Sequence, residues 1–239
     1  MPKNIAVILA GGSGVRFNAD RPKQFLKLAG KSILEHTLDA FQSHRRIDEI
    51  AIVCHGSYIS DVEDIVNRNH YDRVKKVLAG GDKRYHSSLS AIRAYQEEHR
   101  GDLTAANLIF HDAVRPFVRP AIIDNVVAAL EHHRAVDVAI PASDTIIQVQ
   151  GGQIEAIPDR SRLMMGQTPQ AFRLDVIALA YERGLSDPNF AATDDCGVVL
   201  RYLPDEPITV VRGAEDNIKI TYEVDLALAD KLIQIREQE

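Results

Sequence analysis

The chain has 239 residues, with 28 Lys and Arg against 34 Asp and Glu, a formal net charge of −6. With 45 % hydrophobic and 26 % charged residues it is neither disordered nor fibrous, and its acidic balance argues against nucleic acid as a partner. No apolar run approaches the roughly 20 residues that span a bilayer, so no membrane partner is expected. Met1–Asn4 is too short for the charged region of a signal peptide. Cys54 and Cys196, the two cysteines, offer neither metal spacing nor a disulfide framework, which suits a reducing cytoplasm.

Ile5–Ala10 is a continuous apolar run ending in glycines, as expected of a strand buried on both faces. Ser32 and Glu35 fit a capping box, and Leu34, Leu38 and Phe41 follow at helical spacing. Glu49–Cys54 reads as a strand, and Ile59, Val62, Ile65 and Val66 mark a helix. Val74–Ala79 is strand-like, then Leu89, Ile92 and Tyr95 line a helix. Asn107–Phe110 is strand-like, and Ile122, Ile123, Val126, Val127 and Leu130 form an amphipathic helix after Pro120. Ala135–Ile140 is the next apolar strand, and Leu174–Arg183 reads as a helix. Strands separated by helices predict an α/β fold with a mainly parallel sheet flanked by helices, and ligands at the carboxyl ends of the strands.

One stretch departs from that rhythm. Thr145–Gln150 and Gln153–Ile157 flank Gly151–Gly152, a two-residue hairpin signal. An isolated hairpin is marginal in water, and the pattern fits either a surface arm or a dimerisation arm. Without linkers, repeats or low-complexity tracts, the simplest organisation is one domain over 1–239 with an arm at about 142–162.

The segment Leu9–Phe17 reads LAGGSGVRF. A strand followed by Gly11, Gly12 and Gly14 exposes backbone amides toward phosphate. It is not a dinucleotide loop, since Phe17 stands in place of the third glycine. Nor is Gly30-Lys31-Ser32 a Walker loop, because residue 25 is Phe and no strand directly precedes it. A glycine loop followed by Arg16 and Lys23 suits a triphosphate, with the two cations offsetting charge on the α-phosphate and departing pyrophosphate.

From Leu9 through Arg16, Pro22-Lys23-Gln24 and Gly30-Lys31-Ser32 onward, the chain resembles the cytidylyltransferases that make CDP-activated polyols. The resemblance continues through Gly80-Gly81-Asp82, His111-Asp112-Ala113-Val114-Arg115-Pro116, Asp144-Thr145, Gln167-Thr168-Pro169-Gln170, Thr193-Asp194-Asp195 and Asn217-Ile218-Lys219-Ile220-Thr221. It implies a Rossmann-like nucleotidyltransferase with CTP and a polyol phosphate as substrates, Mg²⁺ or another divalent cation as cofactor, and a homodimer joined by a β-arm. A polyol phosphate oxygen attacks the α-phosphate of CTP and pyrophosphate departs.

By the same resemblance, Arg16, Lys23 and Lys219 are the catalytic cations. Ala10, Gly11, Gly12, Gly14, Gly81, Asp82, Ser87 and Ala113 line the CTP site. Asp112, Arg115, Thr145, Arg160, Thr168 and Thr193 contact the acceptor, and Asp112 is also a candidate Mg²⁺ ligand. Arg160 is expected to reach into the partner's site. Alternation of Ile218 and Ile220 around Lys219 reads as a strand with Lys219 on the opposite face. His36, His55 and His111 have no partner at metal spacing and are read as structural. Two competing classes fit less well. A nicotinamide-dependent oxidoreductase is disfavoured by Phe17, and a non-catalytic nucleotide-binding module by the presence of all three cations.

Two branches of the family differ in acceptor. Enzymes acting on 2-C-methyl-D-erythritol 4-phosphate usually carry Lys after Asp-Thr-Ile, where this chain has Ile147, and Leu-Trp before Thr-Pro-Gln, where it has Leu163-Met164 and no Trp at all. After Thr193-Asp194-Asp195 they usually have Ala-Ser and an acidic residue, where this chain has Cys196-Gly197-Val198. These departures, with Leu203-Pro204-Asp205-Glu206, point to the D-ribitol 5-phosphate branch. Its product, CDP-ribitol, implies cell-envelope or capsule polysaccharide synthesis; the other branch implies isoprenoid precursors.

Overall fold

The computed structural model describes residues 2–12 and 21–236, so Gly14 and Arg16 lie outside the described residues. β1 (Lys3–Ala10) is followed by the short ribbon β2 (Lys27–Leu28) and β3 (Lys31–Ser32), then α1 (Ile33–Gln42), β4 (Glu49–Cys54), α2 (Ile59–Arg68) and β5 (Val74–Ala79). Next come α3 (Arg84–Glu98), β6 (Ala106–Asp112), α4 (Pro120–Leu130), β7 (Ala135–Pro141) and the arm strands β8 (Gln148–Gln150) and β9 (Gln153–Ala156). The chain continues with β10 (Met164–Gly166), β11 (Gln170–Arg173), α5 (Leu174–Leu185), α6 (Asp195–Tyr202), β12 (Thr209–Arg212) and α7 (Glu223–Arg236).

The large sheet runs β10-β7-β11-β6-β1-β4-β5, with β12 also on β7. The β1–β4, β1–β6, β4–β5 and β7–β12 pairs are parallel, while β10 and β11 run antiparallel to their neighbours. β12 covers Val136–Ala139 along one edge of β7, so β10 and β11 must share the other edge. They form one interrupted strand, and the interruption, residues 167–169, lies beside the end of β6.

The apolar runs are continuous because helices cover both faces. α1, α2 and α4 bury Leu34, Leu38, Phe41, Val62, Ile65, Ile122 and Val126 on one side. α3, α5 and α6 bury Ala91, Tyr95, Ile177, Tyr181 and Val199 on the other. A third cluster joins Ile33, Val114, Phe117 and Ile220 to α7 through Ala229. The capping box forms as expected: Glu35 N–H donates to Ser32 Oγ at 3.2 Å and Ser32 N–H to Glu35 Oε2 at 2.6 Å. Such a cap contributes about 1 kcal/mol.

Three expectations need correction. The first arm strand begins at Gln148, leaving Thr145 in the irregular approach to it. The second ends at Ala156 rather than Ile157. Residues 217–221 form no strand, although Ile220 is buried and Lys219 exposed as the alternation requires. Ile220 N–H bonds instead to the Val114 carbonyl, an anchor made after the β6 strand has ended. Among the described residues, no helix is long and apolar enough to cross a membrane.

Candidate active site

Two parallel neighbours, β1 and β6, end side by side, with Leu9 opposite Asp112 and Ala113 N–H bonded to the Leu9 carbonyl. This brings Ala10, Gly11 and Gly12 beside Asp112 and Ala113. The turn containing Lys23 packs here too: Gln24 Nε2 donates to the Ala10 carbonyl at 2.6 Å and the Gly12 carbonyl at 3.4 Å. Gln24, buried and not anticipated as a site residue, thus ties Lys23 to the glycine loop.

β5 opens into Gly80, Gly81 and the exposed Asp82, and Gly80 N–H bonds to the Cys54 carbonyl. Buried Ser87 of α3 fits a notch between this loop and the β1 loop. A Cβ at Gly11 would lie 2.8 Å from Ser87 Oγ, and one at Gly80 only 2.5 Å away. A side chain at Gly80 would also press on Val53 and the Cys54 carbonyl, at 3.3 and 3.4 Å, and Ser87 packs against both of the loops that the resemblance implies for CTP.

Asp112, the last residue of β6, gathers the cations. Its Oδ2 lies 2.8 Å from Lys219 Nζ and 3.6 Å from Arg115 Nε, and its Oδ1 lies 4.0 Å from Arg84 Nε. Burial opposes ionisation of Asp112, but Lys219, Arg84 and Arg115 outweigh it and hold its pKa at about 2. The structure thus brings together Lys219, named from the resemblance as a catalytic cation, and Asp112 and Arg115, named as acceptor contacts, and adds Arg84, which the sequence does not single out. Arg84 Nη1 also donates to the fully buried Asp195 Oδ2 at 2.7 Å.

Thr168 belongs to the same centre. Its Oγ1 accepts from Asp112 N–H at 3.2 Å and lies 3.0 Å from His111 Nδ1. His111 Nε2 is 3.0 Å from the Arg115 carbonyl, which can only accept, so Nε2 carries the proton and Thr168 donates to Nδ1. Burial holds the His111 pKa down at about 4, so it is neutral at physiological pH.

Lys219 is positioned by a second network. Asn217 Nδ2 donates to Gln167 Oε1 and the Thr168 carbonyl, and Gln167 Nε2 donates to the Ala214 carbonyl. Arg115 Nη1 meets the Asn217 carbonyl at 2.8 Å. Irregular backbone at 213–219 is thereby fixed by side chains rather than by a strand ladder.

The remaining acceptor candidates are more dispersed. Thr193 is exposed on the loop entering α6, next to Asp194, which caps that helix through Gly197 N–H. Thr145 and Arg160 lie on the exposed arm, where Arg160 Nη1 donates to the Ser143 carbonyl. Among the described residues, no hydrogen bond or ion pair joins either of them to Asp112, Arg115 or Lys219.

A family model described as 2-C-methyl-D-erythritol 4-phosphate cytidylyltransferase (IspD) matches residues 4–235. The enzyme of that name from Thermobifida fusca is 44 % identical over 98 % of this chain and 94 % of its own length. The ribitol-5-phosphate cytidylyltransferase of Lactiplantibacillus plantarum is 40 % identical over 97 % of this chain and 98 % of its own. The bifunctional ribulose 5-phosphate reductase/CDP-ribitol pyrophosphorylase Bcs1 of Haemophilus influenzae is 47 % identical over 98 % of this chain, which spans 49 % of that protein. The crystal structure of 4-diphosphocytidyl-2C-methyl-D-erythritol synthase from Anaerococcus prevotii superposes with a TM-score of 0.83 at 30 % identity, covering 98 % of this chain and 96 % of that one. Nearly the whole sheet and its helices are shared with enzymes that attach a cytidylyl group to a polyol phosphate, and the chain belongs to the IspD family of CTP-dependent cytidylyltransferases.

Proposed function

We propose that the acceptor is D-ribitol 5-phosphate, giving CDP-ribitol for cell-envelope polysaccharide, and that the enzyme acts in the cytoplasm as a Mg²⁺-dependent homodimer. The acceptor choice is carried by Ile147 on the arm and Met164 where the chain rejoins the sheet, each nearly half exposed, where methylerythritol-phosphate enzymes usually carry a lysine and a tryptophan. Replacing a cation and an aromatic ring changes the charge and shape of whatever surface the arm covers. The two named ribitol relatives support this reading, while the family description and the T. fusca relative favour the second reading, 2-C-methyl-D-erythritol 4-phosphate. The acceptors differ by little apolar area, and one methyl group discriminates by only about 1–3 kcal/mol. The test is kcat/KM for both acceptors at fixed CTP and Mg²⁺, followed by pyrophosphate release. A higher value with D-ribitol 5-phosphate supports the proposal; a clear preference for methylerythritol phosphate reverses it and leaves cytidylyl transfer intact.

In this reading an acceptor phosphate oxygen forms a bond to the α-phosphorus as the α–β bridging P–O bond breaks, and the electron pair leaves with pyrophosphate. Arg16 and Lys23 offset charge growing on the phosphates, while Lys219 and Arg115 hold the acceptor phosphate beside Asp112. Among the described residues no three His, Cys, Asp or Glu side chains could together hold a metal. Mg²⁺ nevertheless fits, because it commonly needs only one or two carboxylates alongside substrate phosphates, and Asp112 is ionised. Bound there, it would neutralise triphosphate charge.

The homodimer is supported by the arm. Every residue of β8 and β9 is exposed, including Val149 and Ile154, and Ile146 and Ile157 extend the apolar surface. A two-stranded hairpin with no covered face gains little by folding alone, and burial against a second copy supplies the missing face. Arg160 would then serve the partner's acceptor. Cys54 and Cys196, both buried and unpaired, suit a reducing compartment.

A further inference from the structure

We propose that Arg84 is a positioning residue for cytidylyl transfer: anchored on Asp195, its guanidinium holds the Asp112 carboxylate in the orientation that faces the acceptor phosphate. This rests on the reading of Asp112 as an acceptor-site group.

Asp195 makes a rigid anchor. It is fully buried, its Oδ1 accepts from Tyr181 O–H at 2.6 Å, and its own N–H donates to Gln170 Oε1 at 3.1 Å. Arg84 Nη1 holds the other oxygen, Oδ2. The side chains that fix Asp195 come from α3, α5 and β11, so it cannot swing to follow Arg84. The opposite edge of the same guanidinium, Nε, faces Asp112 Oδ1. Lys219 and Arg115 approach Oδ2 most closely, whereas Arg84 Nε approaches Oδ1, at 4.0 Å, and draws that oxygen toward itself by charge. An arginine is required because its planar fork addresses two carboxylates at once, whereas a lysine ammonium is a single point charge.

Arg84 also begins α3, directly after the loop whose Gly81 and Asp82 the resemblance implies for CTP. One side chain therefore links the loop assigned to the nucleotide with the carboxylate assigned to the acceptor.

The experiment compares Arg84→Met/Asp195→Asn, Asp112→Asn and the triple variant, each first shown to be folded by circular dichroism and melting. Removing both ends of the buried pair together avoids stranding Asp195 as an uncompensated charge. The double variant is expected to lose about 10–100-fold in kcat while KM for CTP changes less than about threefold, because misplacement of a group at the reacting centre is felt in turnover. On the Asp112→Asn background the same change should cost less than about twofold further, since residues acting through one another are not additive. Native kcat in the folded double variant, or a full additional loss on that background, overturns the proposal. Native turnover in Asp112→Asn overturns both the proposal and the acceptor-site reading beneath it. Should the double variant not fold, Arg84→Lys decides: reduced kcat at unchanged melting temperature supports the proposal, and native kcat refutes it.

Discussion

Replacing Glu35 by Gln is expected to remove about 3 kcal/mol of stability at neutral pH and almost none near pH 2. Glu35 is buried at the start of α1, where its Oε1 accepts from Arg68 Nη2 at 3.0 Å and Asn69 Nδ2 at 3.1 Å. Its Oε2 accepts from Ser32 N–H at 2.6 Å and lies 3.4 Å from Lys27 Nζ. Burial alone would raise its pKa, but the bonds from Ser32, Asn69 and Arg68 win and lower it from 4.5 to about 2. A carboxylate with a lowered folded-state pKa stabilises fully above its unfolded value and loses that contribution as pH falls toward the folded value. At about 1.36 kcal/mol per pH unit, that contribution is about 3 kcal/mol at pH 7 and about half as much at pH 3. A Gln presents one N–H₂ to a ring of donors, the same mismatch that protonated Glu35 meets in acid, so the two proteins converge. For a domain of this size the melting temperatures should differ by about 6–12 °C at pH 7. Paired thermal melts from pH 7 to pH 3 measure the gap directly, and shared acid effects cancel in the difference. A gap that stays constant with pH, or no gap at pH 7, would refute the reasoning.

Lys219→Ala and Lys23→Ala are each expected to lower turnover by about 10²–10³-fold with folding retained, the usual loss for one preorganised contact to transition-state charge; steady-state pyrophosphate release measures it, and near-native turnover in either would remove that lysine from the chemistry. If Arg160 acts across the dimer, mixing inactive Arg160→Ala with inactive Lys23→Ala protein should restore activity, since a mixed dimer holds one intact composite site. No recovery despite demonstrated subunit exchange would assign Arg160 to its own chain or to no site.

Local signals were readable wherever the physics is local. The Ser32–Glu35 box forms because both partners lie within one helical turn, and Ile5–Ala10 is uniformly apolar because β4 and β6 flank it and helices cover both faces. β10 and β11 escaped notice for the opposite reason. They are short, and their interruption at Gln167-Thr168-Pro169 removes the period of two that marks a strand. Arg84 was invisible because its meaning depends on Asp195, 111 residues away, and only the packing of α3 against α5 and α6 brings them together. Lys219 could be named from its motif, but its apparent strand was an alternation produced by Ile220 anchoring on Val114.

Pro141 and Met164 are cross-strand partners, and Ala142 N–H bonds to the Leu163 carbonyl one step further out. The arm therefore leaves and re-enters the sheet at adjacent positions, so that everything beyond this ladder pair is an excursion whose two ends already meet. Neither β7 nor β10 depends on the arm for its register, since both are held by pairing within the large sheet. Length and sequence in the arm are consequently free to vary without moving Asp112, Thr168 or the glycine loop. In the proposed dimer, a lineage could retune what the arm touches in a second copy, and with it the proposed acceptor, while the sheet and the glycine loop stayed unchanged beneath it.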